Sequence, residues 1–469
     1  MEKQYWKKMM ENKIHYKGIA YAIGILSIGI LYFFVLGDNG PYLMRDSEAF
    51  LNPTSGLTHG YWLYPRFLDL CEIICGQESA LYVAYIMQGL LALITSVWIT
   101  EYFRKYFGMG YLSGLFIYIC TMLPYGYSLP ENVVTHHIMT EALSIPLFYM
   151  CILFLYKSFL EKKYYYMIIA ISAGILLVLS RAQLLVFLPA IALLLVIIFI
   201  KQVVFKIADK IKVNRRNMVI AFILISGVLM IVLVTGVFGK TTIGSQLTAA
   251  LSGRIMCLME YEDRELFTGE VKEIYDALYK NADEGEHIQK YFRTDSWRAY
   301  DIADHTNENG KECLSIIREF YNKKYEGRNM EEYALQSYYD RDYIMITLLR
   351  NHFWDYVIMS LQLMTQSFVA SVFIQPDSIR NLCYIITIFI YFGTFCGIYI
   401  SDRKVKVEKK YIVPMLITLL FLVSNVVFTN AIFYGQQRYV IYTFGMFYIS
   451  WFIMIMGIYR KRKGLTESE

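Results

Sequence analysis

Charge is what the chain has least of: Lys, Arg, Asp and Glu make up 18% of its 469 residues, against about a quarter in a soluble globular protein. With 56% hydrophobic residues and a mean hydropathy of +0.38, that scarcity excludes a string of ordinary water-soluble domains. Charge of one sign is scarce too. Lys and Arg number 45 against 40 Asp and Glu, and the formal charge of +5 is too small to suggest a nucleic-acid partner. The eight cysteines form no C-x-x-C pair and no zinc-type spacing, so no metal cluster is expected of them. Internal repeats of transporter type and low-complexity linkers are missing as well. Nor do the apolar residues alternate, which excludes a transmembrane β-barrel.

What is present is apolar sequence in blocks of roughly 17 to 23 residues, the length that crosses about 30 Å of hydrocarbon at 1.5 Å per residue. The blocks fall at 18–36, 79–100, 109–127, 137–157, 164–180, 183–200, 217–238, 379–400, 411–431 and 439–459. They predict an all-α polytopic membrane protein with about ten transmembrane helices. The first block follows Lys3, Lys7, Lys8, Lys13 and Lys17 as a signal peptide would, but it is too long and no small-residue cleavage site follows, so it reads as an anchor. Residues 164–200 are nearly continuous apolar sequence, too long for one span, and are expected to fold back with Arg181 at the turn.

Crossing alternately from a cytoplasmic N-terminus gathers every short basic cluster on one side. Arg104 and Lys105, Lys162 and Lys163, the stretch from Lys201 to Arg216, Arg403 to Lys410, and Arg460 to Lys463 all land there, as the positive-inside rule requires. The expected organisation is an N-terminal transmembrane module over 1–238 with a first outer loop at 37–78, an extracytoplasmic loop domain over 239–378, and a C-terminal transmembrane module over 379–469. Apolar residues at helical spacing through Leu314 to Tyr325 and Tyr333 to Leu349 make the loop domain mainly helical. Its last part, 352–373, is apolar but carries Asp355, Gln362 and Gln366, and reads as an amphipathic helix on the outer leaflet or a re-entrant one. Cys71, Cys75, Cys257 and Cys313 fall outside the cytoplasm in this topology, where a disulfide of unreadable pairing can form. The abundant tyrosine, 41 residues, suits an aromatic belt near span ends.

Polar residues at or inside the membrane carry the information, because each costs free energy unless it is paired or used. The first loop begins with Arg45-Asp46-Ser47-Glu48 and continues through His59-Gly60-Tyr61-Trp62-Leu63-Tyr64-Pro65-Arg66. Two carboxylates two residues apart can hold a divalent cation, or one can act as general base on a hydroxyl; the plainer reading is that Asp46 caps a short helix through Leu51. His136 and His137 open the fourth span, and His137 shares a helix face with Glu141. A zinc site is disfavoured there, since no H-E-x-x-H occurs. Glu141 needs a partner, for which Arg181 and Arg438 are the candidates, and the plainer reading is an ion pair that only locks helices. Arg181 and Arg438 break the positive-inside bias; a guanidinium kept on the outer face suits a phosphate, and a snorkelling side chain is the alternative. Lys240 could do the same work.

Taken in order, these motifs resemble the GT-C class of membrane glycosyltransferases, which includes protein O-mannosyltransferases and bacterial aminoarabinose transferases. Asp46 closely follows the first span, with the Gly60 to Pro65 stretch downstream; Thr140-Glu141-Ala142-Leu143, Ser180-Arg181 and Gln437-Arg438-Tyr439 follow in the order of the class. The resemblance covers the membrane core and not the second loop. It implies a GT-C-like bundle that moves a sugar, with inversion, from a polyprenyl-phosphate donor to a hydroxyl on a glycan, lipid or protein. Asp46 would be the base, Glu48 would orient the acceptor or join Asp46 in holding Mg or Mn, and Arg181, Arg438 and Lys240 would take the donor phosphate. His59, Tyr64, Arg66, His136, His137, Glu141 and Gln437 would line the substrates. Ser47 separates the two acids, which in many relatives are adjacent, so the base and the use of metal stay open. Richness in Lys, Ile and Tyr points to a bacterial plasma membrane, with both termini cytoplasmic and the active site outside. Two other classes compete: a polysaccharide polymerase or ligase, leaning on outer arginines and histidines, and a transporter or flippase. The last predicts midplane charges and paired broken helices, and neither is apparent.

Overall fold

Lipid offers no partner to a backbone amide, so an apolar run of span length must satisfy its own and folds as a helix. The computed structural model describes residues 2–36, 40–44, 47–51, 63–129, 132–163, 165–188, 190–191, 193–194, 251–291, 299–325, 330–373, 380–432 and 437–464. Among them almost everything is helical and no strand occurs, only an isolated bridge between Tyr42 and His137. Among the described residues six helices are long and apolar enough to cross a membrane: Tyr16–Val35, Ala80–Tyr106, Thr140–Glu161, Asn381–Lys404, Lys409–Ala431 and Arg438–Lys463. The blocks expected at 109–127 and 164–180 are apolar helices too, but shorter, at Tyr111–Gly126 and Tyr165–Ser180. The block at 183–200 lies only partly, and that at 217–238 wholly, outside the described residues.

The chain divides into two compact units. The first comprises Met1–Val232, Ile390–Phe421 and Ile441–Glu469. It is built on α1 (Glu2–Ile30, continued by a wider π turn, Leu31–Val35), the short α2 (Ser47–Leu51), α3 (Leu63–Cys75), α4 (Ala80–Tyr106), α5 (Tyr111–Met122), α6 (Thr140–Glu161) and α7 (Tyr165–Ser180). Helix α6 lies at the centre, with nearly all of its side chains from Thr140 to Tyr156 buried. Helix α4 turns Ala84, Gln88, Gly89, Ala92, Thr95 and Ser96 inward, leaving Tyr82, Ile86, Leu90, Ile94 and Trp98 outward. Small residues on the inner face let neighbours approach, and the large apolar stripe is what lipid would cover. A Cβ on Gly445, in α14 (Phe444–Lys463), would stand 2.3 Å from the Cys120 carbonyl oxygen, so α14 meets α5 backbone to backbone.

Helix α7 stops at Ser180, Arg181 is extended, and a 3₁₀ turn follows over Ala182–Val186. A Cβ on Gly174 would lie 3.1 Å from Ile191 Cδ1, which one continuous helix would hold about 25 Å away. The described part of the long apolar stretch therefore doubles back at Arg181. At the other end of the unit the described basic clusters come together, the stretch from Lys201 to Arg216 lying outside the described residues. Arg460 donates to the carbonyls of Phe107 and Gly108 at 2.6 and 2.7 Å, just beyond Arg104 and Lys105. Tyr411, which ends the Arg403–Lys410 segment, packs on Phe107 with ring centroids 5.2 Å apart, and Tyr106 donates to the Leu160 carbonyl beside Lys162 and Lys163.

The second unit comprises Leu233–Phe389 and Leu422–Val440. It holds helical residues 251–257, a 3₁₀ turn at Tyr261–Leu266, α8 (Gly269–Glu284), α9 (Ala299–Lys324), α10 (Met330–Asn351) and α11 (Phe353–Ala370). It also includes the start of α12 (Arg380–Tyr399) and the end of α13 (Val413–Ile432). Ile255, Met259, Ile274, Tyr275, Ile317 and Leu348 belong to its core. A Cβ on Gly253 would fall 2.0 Å from the Thr306 carbonyl oxygen, so only glycine allows the 251–257 segment to cross α9 there. Asp263 ties the 3₁₀ turn to the start of α11: its carboxylate accepts from the Glu260 amide at 2.9 Å and from Asn351 Nδ2 at 2.7 Å, and His352 Nε2 lies 2.8 Å from it.

All eight cysteines are free thiols, and the disulfide that the topology allows among the outer four is not formed. Cys71 and Cys75 sit one turn apart on α3, with Cys71 turned inward against Met87 and Cys75 exposed. Cys257 donates to the Gly253 carbonyl and Cys313 is buried in the same core.

Candidate active site

The first turn of α6 is already inside the protein, so its polar side chains must find partners in the chain itself. Glu141, 1% exposed, forms an ion pair with the guanidinium of Arg181, itself 3% exposed. Thr140 Oγ1 donates to the same carboxylate at 3.1 Å and accepts from Arg181 Nη1 at 3.4 Å, while Arg181 Nε donates to Gln183 Oε1 at 2.7 Å. One turn further on, the hydroxyls of Ser144 and Tyr442 share a hydrogen bond of 2.8 Å. In a poorly hydrated interior each charge is tolerated because the other is in contact with it. Arg181 does not snorkel.

Above this pair the first loop is fastened to the head of α6. The Tyr42 amide donates to the His136 carbonyl at 2.7 Å, and the Ile138 amide donates to the Tyr42 carbonyl at 3.0 Å. The Phe33 carbonyl, in the π turn that ends α1, accepts from Thr135 Oγ1 at 3.3 Å and lies 3.1 Å from His136 Nε2. Gln88, alone among the apolar residues of its turn in α4, uses its whole amide: it accepts from the Tyr64 hydroxyl at 2.7 Å and donates to the carbonyls of Thr135 and His137 at 3.0 and 3.2 Å. The His137 ring is buried against Tyr42, and its Nε2 has no hydrogen-bond partner among the described residues.

Tyr64, His136, His137, Glu141 and Arg181 thus meet at one end of the first unit, the end opposite the basic clusters. Arg66, two positions from Tyr64 on α3, falls on the other side of that helix, exposed and paired with Asp69 at 3.0 Å. Arg438 belongs to the second unit, where it donates to the Tyr439 hydroxyl at 3.0 Å and lies over that ring. Asp46, His59 and Lys240 lie outside the described residues; Glu48 stands on α2 and Gln437 opens the Gln437–Val440 helix, and the side chains of both lie outside them too. Among the described residues no three His, Cys, Asp or Glu side chains could hold a metal, and the proposed pair Asp46 and Glu48 falls outside that set.

Sequence reasoning passed over Gln88, Tyr42 and Tyr442. Gln88 had a signal, an amide inside an apolar block, whose cost in hydrocarbon asks for a partner. Tyr42 and Tyr442 had none, being two tyrosines among many. No protein-family model, no curated protein and no solved structure matches the chain.

Proposed function

We propose that the chain is a membrane glycosyltransferase of GT-C type, moving a sugar from a polyprenyl-phosphate donor to an acceptor hydroxyl on a glycan, lipid or protein. The observation that supports it is the convergence of three distant segments: the first loop through Tyr42, the head of α6 through Glu141, and the α7 end through Arg181. They carry three of the four motifs on which the resemblance rests, the fourth, Gln437-Arg438-Tyr439, belonging to the second unit, and they meet at the end of the first unit away from its basic clusters. Under the positive-inside rule that end is extracytoplasmic, with both termini cytoplasmic.

In this reading Asp46 takes the proton of the acceptor hydroxyl as its oxygen bonds to the anomeric carbon from the face opposite the leaving group. The bond from that carbon to the phosphate oxygen breaks, and polyprenyl phosphate departs with the electron pair. Charge grows on the phosphate during this step, and a guanidinium already held in a dry site stabilises it without reorganising. Arg181 supplies that charge, and Glu141 with Gln183 fixes where its fork points. Glu141 is a positioning residue here. Glu48 orients the acceptor, or shares a divalent cation with Asp46.

The test is sugar transfer from a polyprenyl-phosphate donor pool by membranes containing wild type or Asp46→Asn, with the variant checked for expression and monodispersity. Asparagine keeps the size and removes the base. Loss of product by at least about 100-fold is expected from a variant that still folds. A fully active Asp46→Asn removes Asp46 from the mechanism, and a wild type that transfers from no lipid-linked donor removes the transferase.

A further inference from the structure

Helix α11 contacts the rest of the second unit in an unusual register. The Tyr356 hydroxyl donates to the Ala431 carbonyl at 2.7 Å, and Ser367 Oγ donates to Asn430 Oδ1 at 3.1 Å. Between them Arg254 Nη1 joins Ser360 Oγ, at 2.7 Å, to the Asn430 carbonyl, at 2.6 Å. From Tyr356 to Ser367 is about 16 Å of helix, yet the partners are all in the last turn of α13. A helix running alongside α13 would meet residues several turns apart, so α11 crosses the end of α13 transversely.

Helix α13 makes up most of Lys409–Ala431, which has the length and composition of a membrane span. At the far end of α11, Val369 packs with Cys383 and Tyr384, at the start of a second such helix, Asn381–Lys404. α11 therefore lies across the end of one span-like helix and against the beginning of another. Its inner face, with Tyr356, Met359 and Leu363, belongs to the core of the unit. Its outer face carries Trp354, Ile358 and Leu361 at helical spacing, 72%, 53% and 55% exposed, flanked by Phe353. Asp355, beside Trp354, keeps 56% of its side chain exposed, and a carboxylate in that place sits readily among head groups and badly in hydrocarbon.

We propose that α11 lies flat in the head-group layer of the leaflet at which α13 ends, with Trp354, Ile358 and Leu361 sunk among the upper acyl carbons. The occupant of this apolar face is lipid. An amphipathic helix with an indole on its apolar edge and a charge beside it suits that boundary, and the two helix ends it touches fix its depth. The inference rests on the membrane reading alone and stands whether or not the chain transfers a sugar.

The full chain, reconstituted in phosphatidylcholine brominated at either shallow or deep acyl positions, tests it through fluorescence. The difference between wild type and Trp354→Phe isolates Trp354, whose ring makes an exposed and conservative replacement. Spin labels at Ile358→Cys and Leu361→Cys, in a Cys75→Ser background, supply depth without tryptophan. The expected result is quenching of the Trp354 component at least about twofold greater by shallow than by deep bromines, and a common depth for both labels. Quenching by neither lipid would put the face in water or against protein and overturn the proposal. So would stronger quenching by deep bromines, or depth increasing along the helix by about 1.5 Å per residue, as a re-entrant segment requires.

Discussion

Either member of the Glu141–Arg181 pair alone would be a buried, uncompensated charge. Replacing one of them, as Glu141→Gln or Arg181→Met, is expected to destabilise the chain by about 3–5 kcal/mol, and replacing both to recover much of that loss. Thermal unfolding of the four proteins of this cycle in one detergent reads the coupling directly; a double variant as damaged as the two singles added together would mean that the pair is not coupled. Both residues stood out in the sequence, Glu141 because an acid one turn inside an apolar block needs a partner and Arg181 because it interrupts a long apolar run. The choice between Arg181 and Arg438 was not legible, because it depends on where α7 ends in space. Tyr64 shows what helix geometry adds to a sequence motif. It was grouped with Arg66 as a substrate contact, yet two positions on a helix are about 200° apart, and Tyr64 turns in to Gln88 while Arg66 turns out to Asp69. Gln88 itself satisfies two backbone carbonyls, and such partners leave no mark in a sequence.

Among the elements, the join between α10 and α11 is where protonation matters. The hydrogen bond that His352 donates to the Asp263 carboxylate raises the His352 pKa above its ordinary 6.5 against the opposing pull of burial, with Glu260 and Asp355 adding to the rise. Burial pushes Asp263 up, but the bonds from His352, the Glu260 amide and Asn351 outweigh it and leave the carboxyl below its ordinary 3.8. The two signs define a window. The His352 contribution is complete below 6.5 and fades as pH rises through its raised value; the Asp263 contribution is complete above 3.8 and fades as pH falls through its lowered value. His352→Gln is therefore expected to lose on the order of 1–3 kcal/mol near pH 5 and to approach wild type toward about pH 9. Thermal unfolding of the full chain across that range checks it, and a gap that widens with pH would contradict the assignment. The helices α9 and α10 before the join were legible from the periodicity of Leu314 to Tyr325 and Tyr333 to Leu349. The clamp was not, since Asp263 and His352 are far apart in sequence and neither stands in a motif.

For the whole molecule the decisive fact is a separation of kinds. Arg104, Lys105, the Arg403–Lys410 segment and Arg460 gather at one end of the first unit, and Tyr64, Gln88, His137, Glu141 and Arg181 gather at the other. Positive charge and apolar block length were both readable in the sequence, and so the grouping of the basic clusters was too. The buried polar seam at the other end was readable only as loose candidates, because it is assembled from carbonyls and amides of four segments. Helix α4 joins the two ends; its 27 residues measure about 40 Å, enough to carry Tyr106 through a bilayer from Ala80. Cys75, five residues before Ala80 and the exposed one of the eight thiols, is thus a natural reporter of the end that holds Glu141. A membrane-impermeant maleimide is expected to label Cys75 in intact cells. Glu408→Cys in a Cys75→Ser chain, exposed at the basic end, is expected to react only after permeabilisation. If Cys75 instead required permeabilisation and Glu408→Cys did not, the Glu141–Arg181 end would face the cytoplasm and the basic clusters would face out, against the positive-inside bias. Transfer at the extracytoplasmic face would then fail as a reading, even if Asp46→Asn abolished activity, because the base would stand on the wrong side of the membrane for its acceptor.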